Sequence, residues 1–106
     1  MIGWKWSAKE KLTARRAFNL ALDRELTAVI QEVMQRAEQI NEASDLWEME
    51  TWLTEQRERI DRTFDFRYSA LARVFATLLR EHRLGLNKLR GLDQENLDSI
   101  ERLAQT

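Results

Sequence analysis

Residues 22–40 read LDRELTAVIQEVMQRAEQI, and the steps between their apolar members decide the fold. Leu22, Leu26, Val29, Val33, Ala37 and Ile40 follow one another at intervals of four and three, the repeat that holds side chains on one face of an α-helix. Ile30 flanks that face. The chain has no proline, and its three glycines, Gly3, Gly85 and Gly91, all lie outside this stretch. Upstream, Ser7-Ala8-Lys9-Glu10 has the form of a capping box, in which the Ser7 hydroxyl accepts from the Glu10 N–H and the Glu10 carboxylate accepts from the Ser7 N–H. One helix is therefore expected from about residue 8, through Leu12 and Phe18, to Ile40. About 34 residues at 1.5 Å each make a rod roughly 50 Å long. A chain of 106 residues has too little of itself left to shield such a rod, so two copies are expected to pack along this seam.

Downstream, Asn41-Glu42-Ala43-Ser44 breaks the pattern. Ser44 reads as the N-cap of a second helix, with Asp45 favourable in its first turn. Leu46, Met49, Leu53 and Ile60 form its stripe, with Trp47 beside it and Trp52 further round, and the polar Gln56 and Arg57 interrupt it. Between Asp61 and Phe66 the repeat slips, which predicts a kink or short loop. A third helix turns Tyr68, Leu71, Val74, Phe75, Leu78 and Leu79 inward and ends near Leu84, with Gly85 in the favoured place just past the end. Leu86 to Arg90 forms one turn stopped by Gly91. Asp93 caps a last helix buried along Leu97, Ile100, Leu103 and Ala104. The expected architecture is all-α and a single domain over residues 1–106. A long helical-hairpin stalk (8–62) carries a small C-terminal helical head (66–104), and two chains pair in a dimeric helical bundle.

The residue inventory argues against enzymatic chemistry. There is no cysteine, and His82 is the single histidine; it reads as a solvated residue at a helix C-terminus, where a cation is favoured. No Glu-x-x-His or His-x-x-x-His spacing supplies metal ligands, and no glycine-rich phosphate loop is present. No cofactor, metal or catalytic residue is expected. No run of 18 apolar residues could span a membrane. The start, Met1-Ile2-Gly3-Trp4-Lys5-Trp6, lacks an apolar signal core, which leaves the cytoplasm as the default location.

Charge is unevenly spread along a chain of net charge −1. Residues 1–37 hold 7 Lys/Arg against 4 Asp/Glu, residues 38–61 hold 2 against 8, residues 62–90 hold 7 against 2, and residues 91–106 hold 1 against 4. Such alternation disfavours a general polyanion binder and suits segments that meet complementary segments of a partner or a second copy. Arg67, Arg73, Arg80, Arg83, Lys88 and Arg90 make the head basic, either as a solvated face or as a docking surface for an acidic protein. Nucleic acid is disfavoured, because no docking motif accompanies the charge. Trp47, Glu50, Thr51, Trp52 and Arg57 form the second cluster of interest. Tryptophan and arginine are the types most enriched at binding hot spots. The cluster reads either as ordinary core or as a subunit or partner interface, with Arg57 reaching a carboxylate on another helix.

The run Asp45-Leu46-Trp47, then Leu53, Arg57, Ile60-Asp61, Asp65, Arg67-Tyr68-Ser69 and Val74-Phe75-Ala76, resembles the fluorescence recovery protein family of cyanobacteria. Arg24-Glu25-Leu26 upstream and Leu89, Gly91-Leu92 and Ile100 downstream continue the likeness, which spans roughly residues 10–104. Helix periodicity alone does not demand Asp-Leu-Trp followed ten residues later by Arg and then Ile-Asp. The resemblance implies a non-enzymatic regulator, homodimeric through its stalk helices. It would bind the photoactivated red form of the orange carotenoid protein at its C-terminal domain, or a related carotenoid-binding protein. Reversion to the orange form and release from phycobilisomes would then be accelerated.

On that resemblance Trp47 and Arg57 match positions of the dimer and functional interface. The family's His-Asp pair is replaced by Glu50-Thr51; Thr51 cannot be an anion, and Glu50 offers a carboxylate one residue away. A phenylalanine of the family's head aligns with Arg73 and a lysine of its last helix with Ser99. Arg73, Phe75, Arg80 and Ser99 are thus the candidate partner-binding residues of the head. These departures imply a divergent member whose activity on the carotenoid protein is weak or absent. The alternative is a helical scaffolding protein with a different protein client.

Overall fold

A computed structural model describes residues 5–106; the chain start read above for a signal core falls mostly outside them. The elements are α1 (Ala8–Ala37), α2 (Ala43–Thr63), α3 (Leu71–Arg80), a 3-10 turn (Leu86–Leu89) and α4 (Gln94–Ala104). They form an elongated body of 54 × 25 × 23 Å.

The capping box at Ser7 starts α1: the Glu10 N–H donates to Ser7 Oγ and the Ser7 N–H donates to Glu10 Oε1, both at 3.1 Å. α1 stops at Ala37, three residues short of the expected end at Ile40. α2 begins at Ala43, and Ser44 does not cap it. The reason is Asp45, whose Oδ2 accepts from the backbone N–H groups of Asn41 and Glu42 at 3.1 and 3.2 Å. A charged acceptor satisfying two orphan donors outcompetes a hydroxyl, and it moves the cap back to Glu42.

α3 also ends earlier than its sequence suggests. Arg80 is its last residue, and His82 rather than Gly85 takes the left-handed conformation, with φ 57°. The Arg83 N–H donates to the Leu78 carbonyl at 2.8 Å and the His82 N–H to that of Leu79 at 3.1 Å. These are the two bonds of a Schellman motif. Gly85 is in ordinary extended backbone, with φ −84°. Gly91 does need its freedom: φ is +111°, and an added Cβ would come within 2.6 Å of Thr13 Oγ1 on α1.

The core lies at one end of the body. Leu71, Val74, Phe75 and Leu78 of α3 pack with Leu89, Leu92 and Ile100. Ala14, Ala17, Phe18 and Ala21 of α1 belong to the same cluster, as does Trp6. The first half of α1 is therefore built into the head, and the stalk does not start at residue 8. Alanines let α3 approach closely, and the larger Leu12, expected inside, is 53% exposed. Tyr68 and Leu103, also expected inside, are exposed.

Between α2 and α3 the chain is irregular from Phe64 to Arg67 and turns from Tyr68, and the rings of Phe64, Phe66 and Tyr68 gather there, Phe66 meeting Tyr68 at 5.5 Å. Phe18 meets Phe64 and Phe66 edge-on at 5.4 and 4.9 Å. Arg15 lies over Phe66 and Lys11 over Tyr68, at 3.4 and 4.9 Å from the ring centroids. The Trp6 indole N–H donates to the Tyr68 carbonyl at 3.1 Å. This aromatic strap ties the link between α2 and α3 to α1.

Candidate functional site

The hairpin of α1 and α2 carries two apolar stripes on each helix. The inner ones face each other: Val29 and Val33 on α1, Met49 and Trp52 on α2, all partly buried. The outer ones are open to solvent. On α1, Leu26, Ile30 and Met34 are 43%, 59% and 64% exposed, and on α2, Leu46 and Leu53 are 47% and 41% exposed. Ile30, Met34 and Leu53 lie about 100° round from the inner Val29, Val33 and Trp52, at one residue's rotation, and Leu26 and Leu46 sit at the edge between the two stripes, on that same side. Antiparallel helices of the same hand bring that rotation to the same flank, so the two outer stripes share one side of the hairpin. Of the expected α2 stripe, Met49 is partly buried and Ile60 buried, while Leu46 and Leu53 are exposed; Trp52 and Gln56 are partly buried beside Met49.

The expected interface cluster divides between this flank and a separate groove. Trp47, Thr51 and Trp52 come together with Ser44, Glu48 and Glu55 around an open groove of about 550 Å³. Trp47 is 60% exposed there. Trp52 is partly buried beneath Arg36, whose guanidinium sits 4.2 Å from the ring centroid. Glu50 and Arg57 are exposed and do not line the groove. Within the chain, Arg57 finds a carboxylate on its own helix rather than on another, at a loose 4.0 Å from Asp61.

Among the head residues, Arg73 and Arg80 are exposed, seven residues apart on one face of α3. Ser99 is partly buried, and its hydroxyl accepts from Arg102 at 3.0 Å. Phe75 is fully buried in the core of α3. It has no surface to offer a partner, which removes it from the partner-binding set.

Two carboxylates that hold the assembly together were not singled out as sites from the sequence. Glu25 of α1 bridges the hairpin and the head: Oε1 pairs with Arg59 of α2 and Oε2 with Arg83 beyond α3, both at 2.5 Å. Burial opposes its charge, but hydrogen bonds from Arg83 and Arg59 prevail and hold its pKa below the ordinary glutamate value. Glu10 is buried, and its Oε2 accepts from the Asp93 N–H at 3.0 Å and from Asn96 Nδ2 at 2.6 Å. Asp93 is the N-cap of α4, yet its own side chain makes no capping bond. Glu10 thus serves two helix starts. Burial again opposes the charge, and the bonds from Asp93, Ser7 and Asn96 overcome it and depress its pKa. Capping spacing could reveal the first role of Glu10; nothing in the local sequence reveals the second.

No group of acidic or histidine side chains is arranged to hold a metal ion among the described residues, and none of their helices is long and apolar enough to cross a membrane. The fold and its surfaces define a class: a helical hairpin whose outer faces are open and apolar, carrying a compact helical head at one end.

Comparison with known proteins narrows that class. Residues 6–104 match the family model described as the photoprotection regulator fluorescence recovery protein. The fluorescence recovery protein of Synechocystis sp. is 34% identical over 100 residues, covering 94% of this chain and 92% of that protein. The structure of the Fremyella diplosiphon fluorescence recovery protein superposes with a TM-score of 0.90 at 41% identity, covering 96% of this chain and all of that one. The Synechocystis structure gives 0.89 at 33% identity over the same shares. The chain belongs to the fluorescence recovery protein family, a family of photoprotection regulators.

Proposed function

We propose that this chain is a non-enzymatic, cytoplasmic regulator that works as a homodimer and binds the photoactivated orange carotenoid protein, or a related carotenoid-binding protein, at its C-terminal domain. It accelerates red-to-orange reversion by binding a conformation on the return path more tightly than the red starting state. The observation that carries the dimer is the outer flank of the hairpin, where Leu26, Ile30, Met34, Leu46 and Leu53 stay open to solvent. Apolar side chains in such continuity mark an interface, and a second hairpin of the same pattern matches them. Family membership supports the regulatory role. Trp47, Glu50, Thr51, Trp52 and Arg57 are proposed for the dimer and functional interface, and Arg73, Arg80 and Ser99 for the head surface that meets the client.

The decisive experiment photoactivates an orange carotenoid protein and follows its dark recovery by absorbance at increasing concentrations of this protein. Acceleration that saturates supports the reading. An unchanged rate at saturating protein rejects the activity and favours the second reading, a helical scaffolding protein with another client. That second reading rests on the resemblance drawn from the sequence, which sets Arg73 and Thr51 where the family would carry an apolar and an anionic residue.

A further inference from the structure

The acidic residues of the basic segment 62–90 are already engaged. Asp65 is gripped by Arg67 through hydrogen bonds of 2.6 to 2.9 Å, and Glu81 by Arg83 at 2.6 Å. Arg83 also pairs with Glu25. Arg62, Arg73 and Arg80 are left exposed, with no carboxylate within 4.0 Å among the described residues. Arg62, from the end of α2, and Arg73 face one cleft of about 150 Å³, which Thr63 and Thr77 also line. Asp65 stands in the same cleft and feels Arg73 electrostatically, but its oxygens are taken by Arg67. Arg73, Thr77 and Arg80 lie on one face of α3, so the cations make a row about 10 Å long from Arg73 to Arg80, with Arg62 beside its start.

We infer that this row is a docking surface for an acidic protein segment, whose carboxylates would be taken by Arg62 and Arg73 at the cleft and by Arg80 further along α3. Charge complementarity carries it: planar guanidinium groups match carboxylates in two-point contacts, and none of the three is paired, with Asp65 beside Arg73 held by Arg67 and Glu101, which lines a groove with Arg80, more than 4.0 Å away. The inference rests on the proposed function only in taking the head as the end that meets a client.

The test measures fluorescence anisotropy of a labelled deca-glutamate peptide with the full chain at low salt. The R62Q/R73Q/R80Q variant should bind about tenfold more weakly, as three exposed ion pairs of about twofold each would give. The K9Q/R16Q/R24Q variant removes the same charge from exposed positions of α1 and should stay close to the parent. The R62K/R73K/R80K variant, which keeps the charge without the planar fork, should bind more tightly than the glutamine variant and more weakly than the parent. Equal weakening in both glutamine variants overturns the inference, as does failure of the parent to bind. Tighter binding of a single-stranded oligonucleotide of matched charge overturns it in favour of nucleic acid. Dark recovery of the carotenoid protein is followed in parallel. If the parent fails to accelerate recovery, the proposed function falls, while the peptide comparison still decides the arginine row.

Discussion

Glu10 shows how much one side chain decides. Its carboxylate satisfies the Ser7 N–H, the Asp93 N–H and the Asn96 amide while shielded from water. In Glu10→Gln the new amide group points donors at donors, so a loss of about 2 kcal/mol in urea unfolding is expected. The pH dependence follows from the depressed pKa values of Glu10 and Glu25. A carboxylate whose folded pKa lies below its unfolded one contributes its full stability above the unfolded value and loses it as pH falls through the folded value. Unfolding free energy should therefore fall on acidification below the ordinary glutamate range, and fall less in Glu10→Gln, as measured by urea titrations at a series of pH values. His82 is the opposite case, a residue that fits its place poorly. It holds a left-handed conformation at φ 57° that glycine adopts without cost. His82→Gly should raise stability by about 0.5 to 1 kcal/mol, net of the added freedom of the unfolded chain. An unchanged or lower denaturation midpoint would show that the imidazole contributes something the Schellman geometry does not reveal.

At the scale of elements, Glu25 makes two joins at once: its pair with Arg59 ties α1 to α2 within the hairpin, and its pair with Arg83 ties the hairpin to the head. Arg59 and Arg83 approach it from different elements, so a double-mutant cycle can separate their contributions. Glu25→Gln should cost about 2 kcal/mol, because two partly buried guanidinium groups lose their anion together. The cycle between Glu25 and Arg83 should show coupling above about 0.5 kcal/mol; additivity would mean that the pair does not join head to hairpin. The start of α2 depends on Asp45 in the same way, and Asp45→Ala should cost about 1 kcal/mol, with Ser44→Ala close to neutral. The legible parts of the elements were those fixed locally: the capping box, the heptad-like steps from Leu22 and the stop at Gly91. Ser44 was misread because a hydroxyl and a carboxylate one residue apart both satisfy the N-cap pattern. Only their geometry shows which reaches the orphan N–H groups.

For the whole molecule, the question is what covers the outer flank of the hairpin. Met34 and Leu53 stand exposed on that flank, and in a two-fold dimer each substitution counts twice. Burying one such side chain is worth about 1.5 to 3 kcal/mol, so Met34→Glu or Leu53→Glu should weaken dimerisation by a hundredfold or more while leaving the head intact. Light scattering on a size-exclusion column should then give the monomer mass, with helical circular dichroism largely kept. A parent protein that is monomeric at micromolar concentration would contradict the dimer directly.

Periodicity by itself determined the helical class, the hairpin and the helical character of the C-terminal residues, because the spacing of apolar residues and the lack of proline act within one or two turns. The family likeness was also legible in the sequence, through Asp45-Leu46-Trp47 and Ile60-Asp61, residues that periodicity does not demand. Only the tertiary structure decided that Ala14, Ala17 and Ala21 are core while Leu12 is surface, that Arg62 joins Arg73 at one cleft, and that Glu10 caps a helix more than eighty residues away. Those outcomes depend on which face meets which neighbour. A small side chain gains its place in a core from the backbone that approaches it, and a buried charge gains its stability from donors brought in by another element. Neither is encoded in the residues adjacent along the chain.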